Sequence, residues 1–156
     1  KEVHFHNCSG LVVLPNWPNI KEVYFSYCHG LVSLPNWPNV TYVICHYCLG
    51  LVILPNWQCV ACVQCWNCPK LVTLPNWPNV TYVQCSNCPD LVSLPCWPNV
   101  EEVDCRDCPR LLFIPNWSQR VDVRYKNCPS IQKQAPLVLL KTDYLQSAFV
   151  PEFLNL

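Results

Sequence analysis

Leu71-Val72-Thr73-Leu74-Pro75-Asn76-Trp77-Pro78-Asn79-Val80-Thr81-Tyr82-Val83-Gln84-Cys85-Ser86-Asn87-Cys88-Pro89-Asp90 is one instance of a unit that this chain repeats every twenty residues. Outward from it in both directions, Val returns at 3, 23, 43, 63, 83, 103 and 123, and Cys at 8, 28, 48, 68, 88, 108 and 128. Trp holds 17, 37, 57, 77, 97 and 117, each two residues after a Pro. A fixed period of this length indicates a solenoid, because one unit cannot bury its apolar face alone and must stack on its neighbours.

Within the unit, two halves have different physical character. Val83 and Cys85 alternate with Tyr82 and Gln84, the period of two expected of a strand with one buried face. Cys88 falls where the chain leaves the strand, a place for a small side chain that can satisfy backbone groups inside the coil. The return path, Leu91-Val92-Ser93-Leu94-Pro95-Cys96-Trp97-Pro98-Asn99, has two prolines within four residues, which excludes an α-helix and predicts an extended, polyproline-like arc. Leu91, Leu94 and Trp97 recur every third residue, as an arc with one side turned inward requires.

The segment Val80–Leu91 follows the pattern L-x-x-L-x-L-x-x-N/C-x-L with one extra residue after the Cys. In this it resembles the short, Leu-Pro type of the leucine-rich repeat family, with Trp in place of the second Leu in Leu74-Pro75-Asn76-Trp77-Pro78. Repeats of this class occur in bacterial effectors. The Asn-Cys-Pro form is similar to leucine-rich repeat proteins of giant DNA viruses. The resemblance implies a leucine-rich repeat solenoid with a parallel β-sheet on one face, extended convex arcs and little helix. Residues 1–134 would form seven repeats and 135–156 a carboxy-terminal capping segment, with Leu140, Tyr144, Leu145, Ala148 and Phe149 at helical spacing between Pro136 and Pro151. The bare amino-terminal repeat and the Met-free start at Lys1 suggest a fragment or a processed form.

Composition narrows the function. Formal charge is zero, which gives no general affinity for nucleic acid or anionic membrane, and no apolar run approaches the roughly 20 residues of a spanning helix. Fourteen cysteines would suit a disulfide scaffold in a secreted chain. However, four of them (Cys45, Cys65, Cys85, Cys105) share a column with Phe5, Phe25 and Tyr125, so that column behaves as a core slot. Buried, reduced thiols and an intracellular, reducing compartment are expected, although neighbouring columns would lie close enough to cross-link on oxidation. Cys59-x2-Cys62-x2-Cys65-x2-Cys68 has the look of a metal-binding run. Yet Cys62 and Cys65 lie three apart on one strand and point to opposite faces, so no metal or other cofactor is expected.

Four glycosylation sequons begin at Asn7, Asn39, Asn79 and Asn116. Those at Asn39 and Asn79 are by-products of the repeat's Asn-Val-Thr, and with no signal sequence all four read as accidental, while Gly10, Gly30 and Gly50 read as turn glycines. Catalysis finds no support: His4, His6, His29 and His46 have no nucleophile with an acidic orienter nearby, and no small-molecule substrate is evident. What stands out is charge. From Val23 to Pro69 there is no Asp, Glu, Lys or Arg, whereas residues 101–126 carry half of the charged side chains. An uncharged aromatic strand face is the expected binding surface of repeats 2–5, with Tyr24, Tyr42, Ile44, Cys62, Gln64, Trp66 and Tyr82 contacting a protein partner. The expected role is a non-enzymatic interaction scaffold. The alternative is a structural component of a large assembly such as a virus particle, with capsid or other subunits as partners.

Overall fold

The computed structural model describes residues 1–117 and 120–131. Seven strands, β1 (Glu2–His6), β2 (Glu22–Ser26), β3 (Tyr42–His46), β4 (Cys62–Gln64), β5 (Tyr82–Gln84), β6 (Glu102–Asp104) and β7 (Asp122–Arg124), form one parallel sheet in sequence order. The register is exactly one repeat throughout the ladder, Val3↔Val23↔Val43↔Val63↔Val83↔Val103↔Val123. The expected solenoid is therefore the observed one: a parallel sheet and extended arcs, with helix confined among the described residues to a single turn at 129–131. The expected cap over 135–156 lies outside the described residues, and so does the sequon at Asn116-Trp117-Ser118 in its last position.

Burial follows the two periods of the sequence. In β2 and β3 every second side chain is buried, Val23 and Phe25, then Val43 and Cys45. Along the four arcs that begin at Leu31, Leu51, Leu71 and Leu91 every third side chain is buried: Leu31, Leu34, Trp37 and Val40, then Leu51, Leu54, Trp57 and Val60, and so on to Val100. The core is thus a stack of identical layers, each Leu, Trp, Val and Cys resting on its copy in the next coil.

Three hydrogen-bond ladders tie the layers together. The indole Nε1–H of Trp37, Trp57, Trp77 and Trp97 donates to the carbonyl of Pro15, Pro35, Pro55 and Pro75, twenty-two residues back, at 2.9–3.1 Å. The same indoles stack on one another with ring centres 6.0–6.5 Å apart from Trp37 to Trp97. The Trp117 indole N–H, next in line, is buried and finds no partner among the described residues. The second ladder is made of thiols. Cys68, Cys88, Cys108 and Cys128 each donate to the carbonyl twenty-three residues back, on Cys45, Cys65, Cys85 and Cys105, at 3.0–3.2 Å. Here is the physical reason for Cys in that column: it is small enough for the turn, apolar enough for the core, and still a donor. The third runs along the arc, where Asn39, Asn79 and Asn99 donate side-chain N–H groups to the carbonyls of Pro18, Gln58 and Pro78. The sequons at Asn39 and Asn79 are thus structural positions, and Thr41 and Thr81 likewise donate to Lys21 and Ala61.

One regularity sets the turn after each strand. Asn7, Tyr27, Tyr47, Asn67, Asn87, Asp107 and Asn127 all have φ between 54° and 62°. Asn and Asp tolerate this left-handed conformation, whereas Tyr does so rarely. The glycines at 10, 30 and 50 stand in turns as expected, but none has positive φ. At Gly30 and Gly50 the requirement is steric, because a Cβ would come within 2.5 Å of the Ser9 carbonyl oxygen and 2.3 Å of the His29 one.

Candidate interaction surface

The outward positions of seven strands make a grid of three columns by seven rows. One column reads Glu2, Glu22, Tyr42, Cys62, Tyr82, Glu102, Asp122, and the middle one His4, Tyr24, Ile44, Gln64, Gln84, Asp104, Arg124. The third follows as His6, Ser26, His46, Trp66, Ser86, Arg106, Lys126. All seven residues expected to bind a partner fall on this face: Tyr24, Tyr42 and Ile44 on β2 and β3, Cys62 and Gln64 on β4, Tyr82 on β5, and Trp66 just past β4.

These side chains are half-buried rather than fully exposed, because they pack against one another along the ladder. The Gln64 side-chain amide donates to the Tyr42 hydroxyl at 3.2 Å and lies 4.0 Å from the Cys62 sulfur, so Tyr42, Cys62 and Gln64 form one cluster. Trp66 forms another, with ring centres 4.3 Å from His46 and 4.8 Å from Tyr47, the latter edge-on. Tyr47 in turn stacks on Tyr27 at 4.7 Å and 7°. Tyr24 borders the first cluster, its ring centre 5.8 Å from that of Tyr42; its hydroxyl donates to the Glu22 carboxylate at 2.6 Å, and His4 stacks on its ring at 4.3 Å. That hydrogen bond, reinforced by burial, pushes the Tyr24 phenol up to about 12. Burial also raises the phenols of Tyr42 and Tyr82.

His46 lies in the third column, beside Trp66 in the uncharged rows. Its Nε2 is buried without a partner among the described residues, and desolvation holds the imidazole below its ordinary range. A neutral histidine here keeps the middle of the face free of charge.

The charged rows behave differently. Arg106 grips both oxygens of Asp104 at 2.9 and 2.7 Å, and Arg124 reaches Glu102 and Asp122, each at 3.1 Å. Burial alone would raise the Asp104 carboxyl, but the hydrogen bonds from Arg106 more than offset it and leave it lowered. The carboxy-terminal third of the face is therefore self-paired, whereas the centre offers aromatic rings, amides and an imidazole.

Ten of the cysteines are buried in the core, Cys8 and Cys62 are half-buried, and Cys59 and Cys96 are exposed. All fourteen are free thiols, and among the described residues no cluster of three or more His, Cys, Asp or Glu could hold a metal ion. Cys62 faces outward on β4 while Cys65 is fully buried beneath it, the opposition that argues against convergence of the Cys59–Cys68 run. Burial raises the thiols of Cys65, Cys68, Cys85, Cys88 and Cys108, with Cys88 at about 11. Cys48 goes the other way, lowered by a hydrogen bond from Cys45, whose own thiol rises well above the ordinary range.

Two surface features escaped the sequence reading. One is the Tyr27–Tyr47 stack, bulky residues at left-handed positions beside the central cluster. The Asn-rich column 7, 67, 87, 127 carried the signal for that conformation. The other lies on the arc. The most exposed large apolar side chains there are Val13 (80%), Val12 (57%) and Ile53 (57%), with Val32, Val52, Val72 and Phe113 also exposed. The inward period of three at Leu91, Leu94 and Trp97 already implied that the intervening Val column points outward.

No protein-family model matches the chain, and no curated protein matches it.

Proposed function

We propose that this chain is a non-enzymatic scaffold that docks a protein partner on the strand face of repeats 2–5. The observation that carries this reading is the contrast within one grid. Rows 3–5 (Tyr42, Ile44, His46; Cys62, Gln64, Trp66; Tyr82, Gln84, Ser86) hold no charge, and the rows beyond them hold Glu22 on one side and paired carboxylates and guanidinium groups on the other. An aromatic, pre-packed centre inside a polar rim is how binding hot spots are built, since rigid rings lose little conformational entropy on docking. Membership of the leucine-rich repeat family, in its short Leu-Pro class, is part of the same proposal, supported by the twenty-residue register and the extended arcs. A reducing compartment is supported by the free core thiols. A second reading, a structural component of a large assembly such as a virus particle, is favoured by one observation: the arcs are uncharged as well.

The double variant Tyr42→Asp/Trp66→Asp tests the first reading. Both side chains stand on the outward face, so the fold survives, as circular dichroism and the melting temperature would verify. Partner binding is expected to fall below detection. Binding at wild-type strength by the folded variant would refute the docking site.

A further inference from the structure

A second surface, on the far side of the core, has a composition that the strand face does not share. The five arcs spanning 11–20, 31–40, 51–60, 71–80 and 91–100 contain no Asp, Glu, Lys or Arg at all, and the sixth, 111–120, has only Arg120 at its end. Every charge of the first five repeats sits on the strand or its flanking turns. Along these arcs runs a single apolar row, Val12, Val32, Val52, Val72, Val92 and Leu112, one residue per coil. Backbone hydrogen bonds hold the row straight: Val52 N–H to the Val32 carbonyl, Val92 to Val72 and Leu112 to Val92, each 3.0 Å.

We infer that this arc face is a self-association surface, and that a second copy of this chain covers it in an isologous, two-fold pair. Three arguments select the second copy. The face lacks the basic side chains that a nucleic acid or anionic membrane needs. It also lacks any charge that a charged partner surface could answer, so desolvation is cheap only against an equally uncharged face. And the row has the fixed spacing of the coil, about 4.8 Å. Two such rows laid antiparallel offer β-branched side chains at matching intervals along their whole length, which the same patch on another copy does automatically. The pairing leaves both strand faces outward, so it stands or falls independently of partner docking there.

The size of the face sets the strength. Six coils make the row roughly 24 Å long, and with about 20 Å of arc width each copy contributes roughly 500 Å². The pair would bury on the order of 1,000 Å², the lower end for a specific interface, so the dimer is weak and reversible.

Sedimentation equilibrium of the full chain over roughly 5–500 μM tests this, a range that brackets weak association. The mean mass should rise from one protomer of 18.0 kDa toward two, without change between about 0.05 and 0.5 M NaCl. The variant Val32→Lys/Val52→Lys should remain monomeric over the whole range, as should Ile53→Lys, each with wild-type circular dichroism, since all three side chains are exposed. Tyr42→Asp/Trp66→Asp should dimerise like the wild type. A wild-type chain that stays monomeric at the top concentration would overturn the inference. So would dimerisation by the folded arc variants, or its loss in the strand-face variant alone.

Discussion

The Trp ladder carries a positional prediction. Trp77 stands mid-stack, fully buried, between Trp57 at 6.2 Å and Trp97 at 6.0 Å, and its Nε1–H donates to the Pro55 carbonyl at 2.9 Å. Trp77→Phe keeps a ring in the stack but removes the donor. Because the Pro55 oxygen also accepts the Trp57 backbone N–H at 3.0 Å, it is not orphaned. The cost of the missing bond is therefore its net worth, about 0.5–1.5 kcal/mol, and not the larger penalty of a stranded group. Aromatic side chains bury about 150–250 Å², and exchanging the largest for a smaller one forfeits roughly 50 Å², another ~1 kcal/mol. The sum is about 2 kcal/mol. Trp17 is the internal control: it is half-buried, and its indole donates no hydrogen bond among the described residues. Trp17→Phe should cost ~0.5 kcal/mol, reflecting only its partial burial. Urea unfolding followed by far-ultraviolet circular dichroism would measure both. Equal costs for the two variants, within about 0.5 kcal/mol, would refute the claim that bonds between coils, and not aromatic burial alone, hold the stack.

Two pH effects follow from buried ionisable groups. The core thiols of Cys65, Cys85, Cys88 and Cys108 titrate above the ordinary thiol value of 9.0, so as pH rises past about 9 the unfolded chain loses protons that the fold retains. Stability should therefore fall steeply above that pH, with several protons released on unfolding. Urea midpoints at pH 8, 9 and 10 would check this, and a flat profile would contradict it. His46 acts at the other end. Its folded imidazole is harder to protonate than the unfolded one at 6.5, so its contribution is present above that pH and is lost as pH falls below it. His46→Phe should flatten the difference in melting temperature between pH 7.5 and 5.5, and an unchanged difference would contradict the assignment.

Much of the architecture was legible because each core position repeats six or seven times. Val at every twentieth residue can only be a ladder, and Leu91, Leu94 and Trp97 at intervals of three can only be an arc with an inward side. The Cys column was legible as core, since Phe25 and Cys45 share a register position. Its partner was less so: that each thiol reaches the carbonyl twenty-three residues back depends on how far one coil is offset from the next. The surface was read less completely for a physical reason. Alternation tells which side chains leave the core, but not that Gln64 then covers Tyr42 while Trp66 covers His46 and Tyr47. The left-handed column and the exposed Val row were both written in the period, at positions where a strand-centred reading does not look.

The central claim is that the strand face is where a partner docks. Site-specific photo-crosslinking tests it most directly, with a photoreactive residue in place of Gln64 at the centre of the grid, and in a second protein in place of Asn56 on the exposed arc. In the protein's native context the residue-64 probe is expected to trap a protein other than the chain itself, and Tyr42→Asp/Trp66→Asp added to that probe should abolish the adduct. A heterologous adduct formed from residue 56 and not from residue 64 would contradict the account.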